Sequence, residues 1–416
     1  MERRRYYHFL LPKSEEEQQQ KLYGDGPRPL SFDVVSKNRS GDHPPETLPL
    51  FPWDLKVELP LNQIGGYGPI ELSPEQAFDY VLKHWDAGTV STEGGGEEKF
   101  KIHLHWKQKN VRKQVSDCKP GNSGSKVAVT VVVDHSGMGN FKRIQEAIDS
   151  VPANNDRWIK VQINPGTYTE QVTIPIDKPC IFLGGQDSSL TTITYNAHER
   201  TDLSATFASR PTNIVAKGIT FQNSFNRGVV PAVSAVIYGD KTAFYNCAFL
   251  GFQDTIWDAL GRHYFSNCYI EGAVDFIFGD GKSFYEGCSI NVIGDGFITA
   301  QGREFPFETN GFVFSNCTVT GLQGFQAYLG RAYRPYATVI FQTSFLSEVV
   351  HPLGWDAWQY PGQESNFTFA EIDCKGPGSD TSKRVPWEKK LDGNQLEKFS
   401  RSSFIDRDGW LAKLPL

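Results

Sequence analysis

Two aspartates, Asp254 and Asp275, have the spacing expected of a catalytic pair. They lie 21 residues apart, and each follows a cysteine, Cys247 or Cys268, by seven residues. Equal offsets in successive sequence repeats predict equal positions in successive turns of structure. Two carboxylates that close repel each other, so the pKa of one rises while that of the other stays low. One can then act as a proton donor and the other as a nucleophile or base.

The residues around the pair suit this chemistry. Asp275 is embedded in the apolar segment 274–278, where a carboxylate needs a cation as partner, and Arg331 is the candidate from a later repeat. Gln253 carries an amide that can donate a hydrogen bond to a developing oxyanion. Aromatic side chains that could form a platform for a sugar are Trp257, Tyr333, Trp355 and Trp358. For any single tryptophan among them, packing under a loop is the favoured interpretation.

A simpler interpretation is that both aspartates are solvated residues of surface turns, where this residue type is common. Asp295 also follows a repeat cysteine, Cys288, by seven residues, and it lies in a glycine-rich segment predicted to be a turn. The offset alone therefore does not identify catalytic residues. The apolar surroundings of Asp275 and the neighbouring Gln253 favour the catalytic interpretation.

A recurring pattern of aromatic, two residues, cysteine, one residue, apolar must position the pair. The cysteine positions, with Lys217 and Ser344 as looser matches at the ends, are separated by 30, 21, 20, 29 and 27 residues. Strand-like repeats of this length without long helical segments predict an all-β parallel β-helix, in which each repeat is one coil. The cysteines should form a buried ladder, since Cys packs as a small hydrophobe. The repeats are Phe244/Cys247/Phe249, Phe265/Cys268/Ile270, Tyr285/Cys288/Ile290 and Phe314/Cys317/Val319.

The chain divides into two parts by composition. Residues 1–125 form an irregular, partly disordered N-terminal extension with a glutamate- and glutamine-rich run and glycine-rich stretches. Within it we expect a helix that starts after Ser73 and a strand over 100–106. His103 and His105 should lie on the wet face of that strand rather than bind metal, since no third ligand is near. Residues 126–416 form the regular domain, with a first strand over 128–133 and a short helix over 141–151.

Composition and charge exclude several classes of protein. The net charge is −6 and no long basic tract is present, so nucleic-acid binding is not expected. No apolar run reaches 18 residues, so no membrane span is expected. The seven cysteines are an odd number without a CxxC pair, so we expect neither a disulfide framework nor a zinc site. The N-terminus has a basic start without a 7–15-residue apolar core, so no signal peptide is expected.

Four motifs in order make the sequence resemble the plant pectin methylesterase (pectinesterase) family. The likeness extends from about residue 128 to the C-terminus and does not include the helical inhibitor-like pro-domain of many plant members. It implies a right-handed parallel β-helix, a single-stranded solenoid. The motifs are residues 166–170, 251–255, 274–279 and 329–331.

The resemblance also implies a reaction, the hydrolysis of galacturonate methyl esters in pectin (homogalacturonan) with release of methanol and without a metal or other cofactor. Asp275 would be the nucleophile, Asp254 the acid and then the base, Gln253 the oxyanion donor, and Arg331 the cation that keeps Asp275 ionised. The implied substrate contacts are Arg331, Tyr333, Thr201 and Phe276. The resemblance further implies a monomer located in the cell wall, with a proteinaceous pectinesterase inhibitor as a partner.

Two departures from the family pattern concern activity. Where the family has a glutamine nine residues before a Gly-Asp aspartate, this chain has Pro231, which lacks a side-chain donor. Loss of one oxyanion donor costs on the order of 10²–10³ in turnover. Tyr333 replaces a usual tryptophan and keeps an aromatic face of smaller area. We expect reduced or retuned activity, and a catalytically silent pectin-binding homologue remains the alternative.

A different β-helix enzyme, a pectate lyase or polygalacturonase, ranks last because the acidic cluster that a lyase needs for calcium is not evident. Two glycosylation sequons of the regular domain begin at Asn316 and Asn366. Asn316 precedes a ladder cysteine, so we expect it to be buried and Asn366 to be the usable acceptor.

Overall fold

The computed structural model describes residues 31–35, 99–103, 117–121, 125–225 and 228–416. The chain separates into two units, Met1–Lys113 and Gln114–Leu416. In the first unit, strands β1 (Ser31–Val35) and β2 (Lys99–His103) pair antiparallel. The strand predicted over 100–106 is therefore present in its first half. The helix expected after Ser73 and the position of His105 lie outside the described residues.

The second unit consists mostly of short strands. The first twelve are β3 (Val129–Val133), β4 (Ile159–Ile163), β5 (Gly166–Thr169), β6 (Val172–Ile174), β7 (Ile181–Gly184), β8 (Thr191–Tyr195), β9 (Phe207–Ser209), β10 (Ile214–Lys217), β11 (Thr220–Asn223), β12 (Ala235–Ile237), β13 (Thr242–Tyr245) and β14 (Ala248–Leu250). The others are β15 (Ile256–Asp258), β16 (Arg262–Ser266), β17 (Tyr269–Gly279), β18 (Lys282–Glu286), β19 (Ser289–Gln301), β20 (Gly311–Ser315), β21 (Thr318–Gly321), β22 (Ala327–Ala332), β23 (Thr338–Gln342), β24 (Phe345–Leu346), β25 (Trp355–Asp356) and β26 (Thr368–Ile372).

These strands form a right-handed parallel β-helix, which confirms the predicted fold. One sheet of ten strands takes a strand from each successive coil, in the order β26-β23-β20-β18-β16-β13-β10-β7-β4-β3. A second, 14-stranded sheet has two arms, which the long strands β17 and β19 join because each runs through both arms. Strand β17 pairs with β14 in one arm and with β15 in the other. Asp254 lies between β14 and β15, and Asp275 lies within β17 where that strand passes from one arm to the other.

Like residues stack along the inside of the coils, as the repeat count predicts. Consecutive rings of the aromatic ladder are nearly parallel, with centroids 4.4 to 5.0 Å apart; they are Phe244, Phe265, Tyr285, Phe314 and Phe341. Next to this ladder, Cys247, Cys268, Cys288 and Cys317 are buried, which confirms the cysteine ladder. Ser344 continues it because its hydroxyl accepts from the Cys317 amide at 3.0 Å and donates to the Gln342 carbonyl at 2.9 Å.

The sequence analysis, which expected no disulfide framework, missed a single disulfide. Cys118 and Cys180 form one, across 62 residues of sequence. It holds residues 117–121 against the first coils. There the backbone of Lys119 also forms an isolated parallel β-bridge with that of Arg157. A bond between residues so far apart in sequence leaves no CxxC-like signature, so the spacing argument missed it.

Helices are short and lie outside the sheets. Helix α1 (Ile144–Ser150) packs its apolar face into the core, and the buried Glu170 accepts hydrogen bonds from its Ile144 and Gln145 amides. A carboxylate there satisfies two orphan N–H groups and complements the helix dipole. Near the C-terminus are α2 (Gly393–Glu397) and α3 (Arg401–Phe404), and 3₁₀ turns cover Glu364–Asn366, Pro377–Ser379, Thr381–Lys383 and Leu411–Lys413. Within the described residues, no helix has the length and apolarity needed to cross a membrane.

Candidate active site

Asp254 and Asp275 occupy equivalent positions on adjacent coils, as predicted. Ile256 of β15 pairs with Ile277 of β17, and each aspartate lies two residues earlier. The Asp254 amide also donates to the Val274 carbonyl at 3.0 Å. Neighbouring strands are about 4.8 Å apart, so the two carboxylates face each other across one coil spacing. Each aspartate is only 8% exposed.

The backbone turns sharply at both positions. Asp254 has φ +63° and Asp275 has φ +50°, in the left-handed region that aspartate adopts more readily than most residues. Opposite Asp275 the strand register slips, because Val274 pairs with Phe297 and Ile277 pairs with Thr299. This bulge lets Asp275 face outward while Phe276, the next residue, packs in the core. Gly272 permits the fold-back, since a Cβ there would lie 2.3 Å from the Cβ of Phe276.

Arg331 reaches Asp275 from two coils further along the chain. Its Nε donates to Oδ1 of Asp275 at 2.8 Å, and its Nη2 donates to Oδ2. A bidentate pair of this geometry favours the ionised carboxylate. The rings of Phe297 and Trp358 face the guanidinium, with their centroids 4.4 and 4.0 Å from its central carbon. The predicted cation partner is therefore present and in contact with two aromatic rings.

The two carboxylates differ in their electrostatic surroundings. Burial and the charge of Asp275 raise the pKa of Asp254 to about 7. Burial also raises the pKa of Asp275, but the hydrogen bonds and charge of Arg331 oppose that shift. Because the cation bonds directly to Asp275 alone, Asp254 is the member of the pair that holds a proton near neutral pH. This asymmetry agrees with one acid and one ionised nucleophile.

Gln253 lies directly beside the acid. Its side chain hydrogen-bonds to Asp254, which partly opposes the rise in the pKa of that carboxyl. Its Oε1 is buried and has no hydrogen-bond partner among the described residues. Ala232 donates its amide to the Gln253 carbonyl at 3.2 Å, so position 231 borders this residue from the preceding coil.

An insertion in β19 explains why Asp295 does not join the aspartate pair. Between the pairs Gly272–Val292 and Val274–Phe297, strand β17 advances two residues and β19 advances five. The extra residues push Asp295 outward, where it is exposed and accepts from the Gln326 amide at 2.8 Å. It lies within a strand and not in the turn that the flanking glycines suggested. Phe297 takes the place beside Val274 that equal offsets would give to Gly294, so Asp295 is not beside Asp275.

Aromatic side chains line the surface next to Arg331. Tyr333 is 40% exposed and stacks on Trp358 with ring centroids 5.7 Å apart. On the other side, Phe297 stacks on Tyr328 at 5.3 Å, and Tyr328 stacks on His351 at 4.2 Å. Half-exposed Trp257 stacks on Phe278. Flat apolar faces beside polar groups are the kind of surface that a sugar ring can stack on.

Two of the predicted positions turn out differently, and a third stays untested. Phe276 is 0% exposed within the core, so its side chain is not a substrate contact, because the bulge that exposes Asp275 turns its neighbour inward. Trp355 is also buried, at 1% exposed, so it does not belong to a platform for a sugar. Thr201 lies half-exposed in a turn two coils before the pair, where its carbonyl accepts from Ser204, and no described contact joins it to the aspartates. Its role stays a prediction.

The sequence analysis missed Phe297 and Tyr328. Both are in register with Val274, because Val274 pairs with Phe297 on β19 and Phe297 pairs with Tyr328 on β22. Phe297 lies four residues before Gln301, the end of β19, and Tyr328 lies four residues before Ala332, the end of β22. Counting back from these strand ends, instead of forward from the cysteines, would have aligned the two aromatic residues. Within the described residues, no cluster of three or more His, Cys, Asp or Glu side chains is arranged to hold a metal ion.

Comparison with known proteins places this geometry in a family. A family model described as Pectinesterase matches residues 130–408. The chain belongs to the pectinesterase family. It is 48% identical over 302 residues to "Probable pectinesterase 55" of Arabidopsis thaliana, covering 69% of this chain and 91% of that protein. It is 47% identical over 302 residues to "Probable pectinesterase 29" of the same plant, covering 69% and 90%.

Solved structures of pectinesterases agree. "Pectin methylesterase from Carrot" superposes with a TM-score of 0.66 at 30% identity, covering 71% of this chain and 97% of that chain. The Aspergillus niger enzyme superposes with a TM-score of 0.61 at 30% identity, covering 72% and 99%. The chain is thus a carboxylic ester hydrolase of the pectinesterase class.

The contact of Arg331 with the rings of Phe297 and Trp358 gives a first prediction. Replacing Phe297 by leucine removes one ring from the guanidinium and should lower kcat/KM for ester hydrolysis about 2- to 30-fold, the effect of losing about 0.5–2 kcal/mol of cation–π attraction. The acid-side limb of the pH profile should move to higher pH. Burial raises the pKa of Asp275, and a less firmly held Arg331 counteracts that rise less. Phe297→Tyr keeps the ring and should leave the acid-side limb at the wild-type pH. Identical profiles for the two variants would show that Phe297 only fills space.

Proposed function

We propose that this pectinesterase hydrolyses methyl esters of galacturonate in pectin and releases methanol through an aspartyl acyl-enzyme. The observation that supports this most is the asymmetry of the pair. Two carboxylates stand at equal positions on adjacent coils, and Arg331 binds only one of them bidentately. A nucleophile that stays ionised beside an acid that stays protonated is what ester cleavage at neutral pH requires.

In the first half of the reaction, an oxygen of Asp275 attacks the ester carbonyl carbon. The negative charge that develops on the carbonyl oxygen is stabilised by the amide of Gln253. When the tetrahedral intermediate collapses, the carbon–methoxy bond breaks and Asp254 gives its proton to the departing oxygen. Methanol leaves, and the galacturonyl group remains bound to Asp275 as an acyl-enzyme anhydride.

In the second half, Asp254 is ionised and acts as a base. It takes a proton from water while the water oxygen attacks the acyl carbon. Collapse breaks the bond to Asp275, which regains its ionised form against Arg331, and Asp254 is again protonated. The product forms as a galacturonic acid carboxyl group that keeps the second proton of the water and then releases it to solvent as it becomes a carboxylate. Both aspartates return to their starting states.

The aromatic surface beside Arg331 supports a polysaccharide substrate. We propose that Tyr333 and Trp358 form a stacking face for a sugar ring and that Arg331 contacts the substrate as well as Asp275. All the groups named come from one chain, so we propose that residues 126–416 act as a catalytic domain in a monomer, and that a proteinaceous inhibitor would act by covering this face. Light scattering of the purified protein tests the monomer.

We further propose that the protein acts in the cell wall. The disulfide between Cys118 and Cys180 supports this, since such bonds persist in oxidising compartments outside the cytosol. A fluorescent fusion of the full chain should label the wall of plasmolysed plant cells. Retention of the label in the cytosol would contradict the proposed location without touching the proposed chemistry.

The decisive experiment measures methanol release from highly methylated pectin by the full chain. We expect methanol in parallel with acidification of the polymer, and neither product from unmethylated polygalacturonate. If wild type releases no methanol but binds pectin as tightly as Asp275→Ala does, the protein is a silent pectin-binding homologue. A rise in ultraviolet absorbance from unsaturated products would instead indicate a lyase.

Position 231 gives a second prediction. Pro231 accepts a hydrogen bond from the Glu199 amide through its carbonyl, and its ring offers no donor to the neighbouring oxyanion site. Replacing it by glutamine adds an amide and should raise kcat at least about tenfold, given that one oxyanion donor contributes on the order of 10²–10³. Pro231→Met is the matched control of similar length without a donor. An equal kcat for the two variants would show that no donor is missing here.

A further inference from the structure

A row of asparagines marks one corner of the β-helix, where the chain passes from the ten-stranded sheet to the other. Asn246, Asn267 and Asn316 each precede a ladder cysteine directly. Their φ angles are +50°, +52° and +53°, so the three residues share one left-handed corner geometry. All three are exposed. Asparagine suits this position because its short polar side chain tolerates the left-handed region.

The expectation that Asn316 is buried is therefore wrong. In the motif Asn316-Cys317-Thr318, only the cysteine faces inward, at 1% exposed, while the residues on each side of it are exposed. Its thiol lies 3.4 Å from the Tyr285 carbonyl inside the coil. By contrast, Asn366, which we expected to be the usable acceptor, is half-buried at the end of a 3₁₀ turn.

The three corners differ in one respect that bears on chemistry. The residue two places after the asparagine is Ala248 in the first corner, Tyr269 in the second and Thr318 in the third. An N-glycosylation acceptor needs a serine or a threonine at that place. The third corner thus meets both requirements, an exposed asparagine and an exposed threonine, and the other two corners are natural controls for the geometry alone.

We propose that Asn316 carries an N-linked glycan. The donor would be a lipid-diphosphate-linked oligosaccharide of the secretory pathway. The amide nitrogen of Asn316 forms a bond to the first sugar carbon, the bond from that carbon to the diphosphate breaks, and the amide gives up one proton. This inference rests on the proposed route through the secretory pathway and adds a covalent site that the proposed reaction does not use.

The corner lies away from the aspartate pair. Thr318 pairs with Ser289, which pairs with Tyr269 at the start of β17, whereas Asp275 lies six residues further along that strand, beyond the junction of the two arms. A glycan at the corner therefore projects from the arm that does not carry the catalytic groups. Removing it should leave kcat within about twofold of the wild-type value, the range of a surface change.

The test expresses the full chain behind an added secretory leader in plant cells, so that entry into the pathway does not depend on the proposed location. Glycopeptide mass spectrometry of the secreted protein should find a glycan on the Asn316 peptide. It should disappear in Thr318→Val and persist in Thr318→Ser. Peptides with the other two sequons, at Asn38 and Asn366, are mapped separately.

Tyr269→Thr is the matched test of the corner, because it completes a sequon with threonine two places after the equivalent Asn267. This variant should gain a second glycan. Secreted wild-type protein with an unmodified Asn316 overturns the proposal, and an unmodified Asn267 in Tyr269→Thr overturns the argument from corner geometry. Both readouts are masses, so they do not depend on whether the protein releases methanol.

Discussion

Replacing Asp275 by asparagine should lower kcat for methanol release by about 10⁴-fold or more, the scale seen when a covalent nucleophile is removed. The amide keeps the shape of the side chain but cannot attack the ester carbonyl, and it cannot form the bidentate ion pair with Arg331. The measurement is initial-rate methanol release on methylated pectin. Pectin affinity should change far less than kcat, since the aromatic surface remains.

Asp295→Asn is the matched control for this variant. Asp295 has the same offset from its repeat cysteine but is exposed and bonded only to the Gln326 amide in the described part of the chain. It should keep kcat within about twofold of the wild-type value. Full turnover by Asp275→Asn, or an equal loss in Asp295→Asn, would remove Asp275 from the role of nucleophile.

Replacing Asp254 by asparagine should lower kcat by about 10²–10⁴-fold, the usual contribution of general acid–base catalysis. The pH dependence gives the sharper readout. Asp254 must be protonated to help methanol leave, so activity that depends on it is present below its pKa and falls as the pH rises through about 7. The wild-type kcat/KM profile should therefore show a basic limb near pH 7, and the residual activity of Asp254→Asn should lack it.

Asp280 provides the control for that limb. Asp280 is exposed at the surface, yet desolvation and the charge of Glu308 also raise its pKa to about 7, so it titrates in the same range while lying five residues after the nucleophile. Asp280→Asn should keep both the limb and most of kcat. If the limb disappears in Asp280→Asn and survives in Asp254→Asn, the acid has been assigned to the wrong carboxylate.

Much of the fold could be predicted because a β-helix repeats itself. Each coil buries the same kind of side chain at the same place, so the aromatic–cysteine pattern gave the register of Cys247 to Ser344 and placed Asp254 beside Asp275. The burial of Asp275 in an apolar segment correctly predicted a cation partner, since an isolated buried carboxylate is costly. Arg331 is the partner expected from that reasoning.

Phe276, Asp295 and Phe297 were misplaced because the repeat is interrupted near them. The bulge at Asp275 turned Phe276 inward, and the insertion in β19 displaced Asp295 and brought Phe297 to the site. Neither changes the hydrophobic pattern enough to be read from one sequence. The disulfide of Cys118 joins residues too distant for a spacing argument, and Asn316 was misjudged because a corner residue beside a buried cysteine faces solvent.

Arg331 lies two coils beyond the carboxylate it holds, and that placement ties the chemistry to the integrity of the stack. In a solenoid each coil is supported only by its neighbours, so the array can fray from an end while its middle stays folded. If the coil that carries β22 detaches, Asp275 loses its cation although both aspartates are still in register. Heat should then silence the enzyme before the aromatic ladder melts, and hydrolysis would report the earliest loosening of the C-terminal coils.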